Sequence, residues 1–299
     1  MVIENIYVVV SVYNRKDVTL SCLSSLSKQT YENKKIIVVD DGSTDGTSEE
    51  IGRHFPSTII LKGDGNLWWT GATNLGVQHV LKQARDEDFI LTLNNDLTVS
   101  PNYLEVLHSA ASAHRGSLIG SISVSDEDGS KVSDGGVRIN WLTAKYIRLS
   151  RGKKYEEVIS DSRALLQPVD FLPGRGTLIP VGVFRKIGVY DFARLPHYGA
   201  DYEFSHRAKK NGYGLFIHYG AVVKSDVSST GINNENRVLG WRELGKSFFS
   251  IRSPNSISYR WNFARLTCPM SRLPLFFAFD IGRVVIGALR NQLSRSISR

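Results

Sequence analysis

Four short apolar runs alternating with segments of helical periodicity constrain the fold of this chain more than any other feature. Ile6 to Val12 is near-continuously apolar, as a strand buried on both faces requires. Asn14 and Asp17 then stand as caps before Val18 to Lys28, where Val18, Cys22, Leu23 and Leu26 recur at helical spacing. Lys35 to Asp40 (KIIVVD) is a second strand, and the DDGSTDGT that follows predicts a tight turn into a helix over 45–54. Ser57 to Leu61, a helix over Thr70 to Arg85, and Phe89 to Leu93 (FILTL) continue the alternation. This order predicts an α/β chain with a doubly wound, mostly parallel sheet flanked by helices.

Farther on, Pro101 precedes a helix over Tyr103 to Ala113. Residues 117–150 read as strands with turns, and 151–168 as a polar loop or excursion. Short apolar runs at Thr177 to Val183 and Leu215 to Ile217 surround a helix over Asp201 to Asn211. The Ser/Thr/Gly/Asn-rich stretch Ser225 to Asn236 is the one boundary signal.

With 299 residues, 41% of them hydrophobic, the chain buries a large core and is not a disordered polymer. Its two cysteines, Cys22 and Cys268, exclude a disulfide framework and a four-cysteine zinc site and point to a reducing compartment. The start, MVIENIYVVVSVYNR, carries an acidic residue where a signal peptide is basic, so a protein that is not secreted is expected. The net charge of +8 is localised. Residues 233–299 hold eleven Lys and Arg against Glu235, Glu243 and Asp280, while the rest of the chain is neutral. That asymmetry calls for an acidic partner.

Ligands of open parallel sheets bind outside the carboxyl ends of the strands. Three such ends are polar here: Tyr13-Asn14-Arg15, Asp40-Asp41-Gly42-Ser43 and Asn94-Asn95-Asp96. Asp40 and Asp41 suit the N–H of a nucleobase and the hydroxyls of a ribose, although DDGSTDG is equally a turn and helix cap. Asp96, among amide oxygens, suits a hard divalent cation that keeps some of its waters and binds a diphosphate, although Asn and Asp at a strand end are also turn formers.

VVVSVYNR, IIVVDDGSTDGT, GDGNLWWTGATNLGV and FILTLNNDLTVSPNYL, in this order, resemble the nucleotide-binding half of the family-2 glycosyltransferases, whose fold is the GT-A type. FLPGRGTLIPVGVFRKIGVYD and YGADYEFSHRAKKNGY resemble the acceptor segment of the same family. The resemblance implies a nucleotide-sugar-binding half at 1–115, an acceptor-binding half at 116–232 and a basic extension at 233–299. It implies that Tyr13, Asn14, Asp41 and Asn66 lie against base and ribose, with Arg15, Asp40, Asn74, Asn94 and Asn95 in the same donor-binding set. Trp68 or Trp69 would wall the donor pocket, the other packing in the core. The family's metal motif falls on Asn94-Asn95-Asp96, which makes Asp96 a ligand for Mg2+ or Mn2+ and Asn94 an indirect contact. Its catalytic base falls on Asp201, with Ala200 in place of the preceding glutamate and Glu203 as second candidate. A carboxylate there also simply favours a helix N-terminus. Where many relatives carry a metal-binding histidine this chain reads AVVKSDVSSTG: either Asp226 supplies a ligand, ahead of His197 and His218, or Lys224 substitutes its charge for part of the ion's role, or the third protein ligand is missing.

The function implied is inverting transfer of one sugar from a nucleotide-sugar, dTDP-rhamnose or a UDP-sugar, to a hydroxyl of a growing, lipid-linked surface glycan such as O-antigen or capsule. Single addition fits because ISYRW resembles the Gln-x-x-Arg-Trp element of processive synthases but lacks its Gln. A non-catalytic nucleotide-sugar or glycan-binding module and a nucleotidyltransferase are the alternatives; SVYNRKD lacks the Gly-rich phosphate loop of the latter.

Leu273 to Leu293 is interrupted by Asp280, Arg283 and Arg290 and does not read as a transmembrane span. Those charges fall on one stripe of a helix that is apolar elsewhere. Such a helix suits an anionic membrane surface, or packs on the catalytic domain or on a second subunit. No nucleic-acid module is recognisable. A cytoplasmic protein, peripheral at the inner face of the cell membrane, is the expectation.

Overall fold

A computed structural model of the chain describes residues 3–125, 130–161, 165–225, 241–250 and 253–297. β1 (Ile6–Val12) carries the richest β-branched run and takes the most protected position, buried at all but one of its residues. It pairs in parallel with β2 (Lys34–Asp40) on one side and with β4 (Phe89–Asn94) on the other, and β3 (Ile59–Lys62) continues the parallel edge beyond β2. Helices α1 (Lys16–Ser27), α2 (Thr47–His54) and α3 (Trp68–Leu81) connect these strands. The period-two alternation of β1 sorts its two faces. Tyr7 and Val9 join Ala72, Val77 and Val80 of α3 in one core cluster. Ile6, Val8, Val10 and Val12 join Cys22, Leu23 and Leu26 of α1 in another.

The chain continues through β5 (Leu97–Val99), α4 (Tyr103–Ala113), β6 (Ser117–Ser125), β7 (Val132–Asp134), a hairpin of β8 (Val137–Asn140) and β9 (Lys145–Arg148), α5 (Tyr155–Asp161) and β10 (Leu166–Pro168). β11 (Thr177–Pro180), α6 (Val181–Ile187), α7 (Ala200–Lys210) and β12 (Gly214–Ser225) follow. The strands run in the order β10-β12-β6-β11-β4-β1-β2-β3, with β5 on β12 and β7 on β6.

The parallel α/β sheet expected from the sequence is present, and β11 adds an antiparallel seam between β4 and β6. It returns from a loop on the carboxyl side of the sheet, so no helical crossover sets it parallel. Within the polar stretch 151–168, expected as a loop or excursion, the described residues form α5 and β10. Val158 is buried and the Tyr155 hydroxyl donates to the Tyr219 carbonyl at 2.9 Å, which anchors α5.

Beyond the sheet lie α8 (Trp241–Ser247), α9 (Ile257–Thr267) and α10 (Leu273–Ile297). Among the described residues no helix is long and apolar enough to cross a membrane. Two of the three charges on the α10 stripe face the protein: Asp280 is buried and pairs with Arg260 at 2.7 Å, and the Arg283 guanidinium donates to the carbonyls of Thr143 and Ala144, while Arg290 is exposed.

Candidate active site

A cavity of about 390 Å³ opens at the carboxyl ends of β1, β2 and β4, within the range of small-molecule sites. Tyr13, Arg15, Asp41, Asn66, Trp68, Trp69, Asn94, Asn95 and Asp96 line it, together with His197.

The floor is set by a turn in which Asn14 and Arg15 both adopt left-handed backbone conformations, with φ of 57° and 65°. Asn14 is fastened to the neighbouring strand end. Its N–H donates to the Ser43 hydroxyl at 2.7 Å and its Oδ1 accepts the Thr44 N–H at 2.9 Å, so it shapes the turn without lining the cavity. The turn aims the Arg15 guanidinium at Asp96, 3.4 Å away.

Asp40 and Asp41, adjacent in sequence, divide the work. Asp40 is fully buried outside the cavity and accepts from Ser43 N–H, the Ser48 hydroxyl and Lys62 Nζ. Those hydrogen bonds overcome the desolvation that burial imposes and lower its pKa to about 2. Asp41 faces the cavity and accepts from three backbone amides, Gly65 at 2.9 Å, Leu67 at 2.9 Å and Trp68 at 3.1 Å. It thereby caps α3 from another strand, which starts that helix at Trp68, ahead of the expected Thr70. A carboxylate has about four acceptor positions, so one remains for a ligand. The loop comes this close because Gly63 has no side chain: a Cβ there would stand 2.5 Å from Asp41 Oδ1.

Both tryptophans line the cavity, and the core packing expected for one of the two falls to Trp69. Strand-like alternation does not apply at the first turn of a helix. Trp69 does both tasks. It packs on the core edge-on to Tyr190, with ring centroids 5.4 Å apart, while its indole N–H donates to Asn94 Oδ1 at 3.1 Å. Trp68 lies 5.5 Å from the His197 ring. Asn66 is exposed at the rim. Asn95 donates to the Thr19 hydroxyl at 2.9 Å. Asn74 is outside the cavity, clamped to the backbone of Tyr190 through both ends of its amide.

Among the described residues Asp96 and Asp41 are the carboxylates of the lining. Burial pushes the pKa of Asp96 up, and the charges of Arg15 and Arg175 only partly offset this. A buried carboxylate short of counter-charge fits a Mg2+ or Mn2+ ion that takes its remaining oxygens from water and diphosphate. Among the described residues no cluster of three or more His, Cys, Asp and Glu side chains forms a closed metal site. Asp226, the other candidate ligand, lies outside the described residues. Burial pushes the His218 pKa down, and its Nδ1 accepts locally from the Gly220 N–H at 3.1 Å.

Asp201 sits in the first turn of α7 and accepts from Gly174 N–H at 2.8 Å and Tyr202 N–H at 2.9 Å. Desolvation raises its pKa against the opposing pull of those amides and of Arg175. Glu203 is a structural ion pair: Arg207 grips both of its oxygens, at 2.9 and 3.1 Å, and also donates to the carbonyls of Ile187 and Val189.

Arg175 is a residue that the sequence did not reveal. It stands in the loop before β11, donates to Asp134 at 3.0 Å, and its charge is felt by both Asp96 and Asp201. The same loop supplies Gly174, where a Cβ would meet the Trp69 ring at 2.1 Å. This loop therefore joins the candidate base to the wall of the cavity.

A parallel sheet seamed by β11, with a polar cavity at its carboxyl edge, defines the GT-A glycosyltransferase architecture. The chain belongs to glycosyl transferase family 2, whose model matches residues 7–168, more than half of its length. Among its relatives is the N-acetylglucosaminyl-diphospho-decaprenol L-rhamnosyltransferase of Mycobacterium tuberculosis, 26% identical over 235 residues that cover 70% of this chain and 72% of that one. The putative glycosyltransferase EpsH of Bacillus subtilis is 29% identical over 72% of this chain and 61% of its own. Among solved structures, GalNAc-T7 with UDP, GalNAc and Mn2+ aligns with a TM-score of 0.62 and 14% identity over 88% of this chain. The chain spans only 47% of that structure. The mannosyltransferase PcManGT of Pyrobaculum calidifontis, in complex with GDP-Man and Mn2+, aligns with a TM-score of 0.56 and 14% identity over 98% of this chain and 79% of that one.

Proposed function

We propose that this family-2 glycosyltransferase is a metal-dependent, inverting enzyme. It moves one sugar from dTDP-rhamnose or a UDP-sugar to a hydroxyl of a growing, lipid-linked surface glycan at the inner face of the cell membrane. The observation that carries this reading is the cavity itself: Asp41 with one acceptor position left, two tryptophans, and a desolvated Asp96, all at one sheet edge. The name of the mycobacterial relative, a rhamnosyltransferase acting on a diphospho-decaprenol glycan, supports the donor and acceptor class.

Asp41 and Asn66 hold base and ribose, and Trp68 and Trp69 wall the donor. Asp201 accepts the proton of the acceptor hydroxyl. Its raised pKa makes it a stronger base than an ordinary aspartate. The acceptor oxygen attacks the anomeric carbon from the face opposite the nucleotide, which inverts the configuration. Asp96 would hold the divalent ion, which supplies neutralising charge to the departing diphosphate. The guanidinium of Arg15 stands beside the same carboxylate and adds to that charge.

Thermal stabilisation by a panel of dTDP-, UDP- and GDP-sugars, with and without Mg2+ or Mn2+, identifies the donor. Asp201→Asn is expected to keep that stabilisation while transfer falls by about two to four orders of magnitude. Transfer within a few-fold of the parent would remove Asp201 from the role. Absence of stabilisation by any nucleotide-sugar would remove the donor reading.

A further inference from the structure

We propose that the outward face of α10 is a docking surface for an anionic lipid bilayer, on which the helix lies in the headgroup plane. The proposal deepens the reading of a lipid-linked acceptor at the membrane by naming the surface that meets the bilayer, and its test does not require sugar transfer.

The inward face of α10 is occupied. Phe276 is fully buried with its ring 5.4 Å from Trp141, Asp280 pairs with Arg260, and Arg283 binds two backbone carbonyls. The opposite face is apolar and open. Leu275, Phe279, Ile286 and Leu289 are 61, 50, 52 and 40% exposed, at spacings of four, seven and three residues that keep them on one stripe. Large exposed apolar stripes of this kind mark interaction surfaces.

Charge selects the occupant. Asp280 is the only acidic residue between 244 and 299, and it is turned inward. Arg290, one turn beyond Ile286, and Arg272, at the head of the helix, are both exposed. The outer face is therefore apolar with cationic edges and carries no carboxylate, which is the pattern of a helix lying on anionic headgroups. A second copy of this chain fits less well, because it would bring arginine against arginine. α10 is 25 residues long but carries Asp280, Arg283 and Arg290, and among the described residues no helix is long and apolar enough to cross a membrane.

The surface is also rigidly related to the catalytic half. α9 packs against α10 through Trp261 on Phe277, at 5.1 Å between ring centroids. On its other side α9 brings Tyr259 and Phe263 against Gly199, the residue that opens α7 and precedes Asp201 by two positions. A bilayer held on α10 is thus coupled through one helix to the wall that carries the candidate base.

The test is co-sedimentation of the full chain with phosphatidylcholine vesicles, with and without phosphatidylglycerol. The parent is expected to pellet with the anionic vesicles, less so as salt rises. The double variant Phe279→Ser/Ile286→Ser is expected to lose at least about tenfold in partitioning. Both side chains are half exposed, and an unchanged melting temperature verifies that the variant is folded. The proposal is overturned by a parent that does not pellet, by equal partitioning of parent and variant, or by a solution dimer that the double variant dissociates. Donor-induced stabilisation is read on the same two proteins without vesicles, so failure of the surface and failure of the sugar-transfer reading give different results.

Discussion

Neighbouring or equivalent carboxylates in this chain differ in what surrounds them, and their pH behaviour should differ in sign. The pKa of Asp40 lies at about 2 in the folded protein, below the ordinary 3.8. Its stabilising contribution, about 2 kcal/mol, is complete above pH 4 and lost as pH falls towards 2. Asp40→Asn is therefore expected to lower stability by about that amount at neutral pH without changing donor affinity, with the gap between the two proteins closing in acid; denaturant titrations across pH check this. Asp201 shifts the other way. Its proton is held more tightly folded than unfolded, so the acid limb of the kcat/KM profile is expected above the range of an ordinary aspartate, roughly pH 4. Glu203→Gln leaves Arg207 without its buried partner and is expected to cost about 3–5 kcal/mol in unfolding experiments, with kcat preserved in the folded fraction. Sequence reading placed Glu203 as a second candidate base, although Arg207 four residues later stands at the spacing of a helical ion pair. The division between Asp40 and Asp41 was not legible in the sequence, because it depends on Lys62 and on the amides of 65–68, which the strands bring in from elsewhere.

Elements with a strong period announced themselves. The runs at 6–12, 35–40 and 89–93 are apolar, β-branched and bounded by polar residues, so both the strands and the polar edge where the cavity opens could be read from them. β11 could be read as a strand but not as an antiparallel one, since four residues, Thr177–Pro180, carry no information about direction. That is also why Arg175 escaped notice as a site residue and His197 ranked only behind Asp226. The first arrives on the loop feeding β11 and the second on the turn before α7, both placed only by the closed sheet. The contact between that loop and α3 can be tested. Gly174→Ala drives a methyl group into the Trp69 ring and displaces the indole from Asn94. Donor affinity is expected to fall about tenfold, the equivalent of one lost hydrogen bond, when measured by calorimetric titration.

On the scale of the whole molecule, the excess charge, the terminal helices and the sheet belong to one design. The basic excess is confined to residues 233–299, and the acidic residue on α10 is consumed in holding that helix down. Phe276→Ala is expected to destabilise the protein by about 3–5 kcal/mol by emptying the contact with Trp141, seen as a lower melting temperature. The seam made by β11 has a consequence for how the chain is made. β4 has β1 on one side, and its other edge is covered only when β11 arrives, more than eighty residues later. During synthesis the parallel half therefore waits with an apolar strand edge, Phe89 to Leu93, open to any other extended chain. The nascent protein is vulnerable until residue 180 has emerged and the sheet closes upon itself.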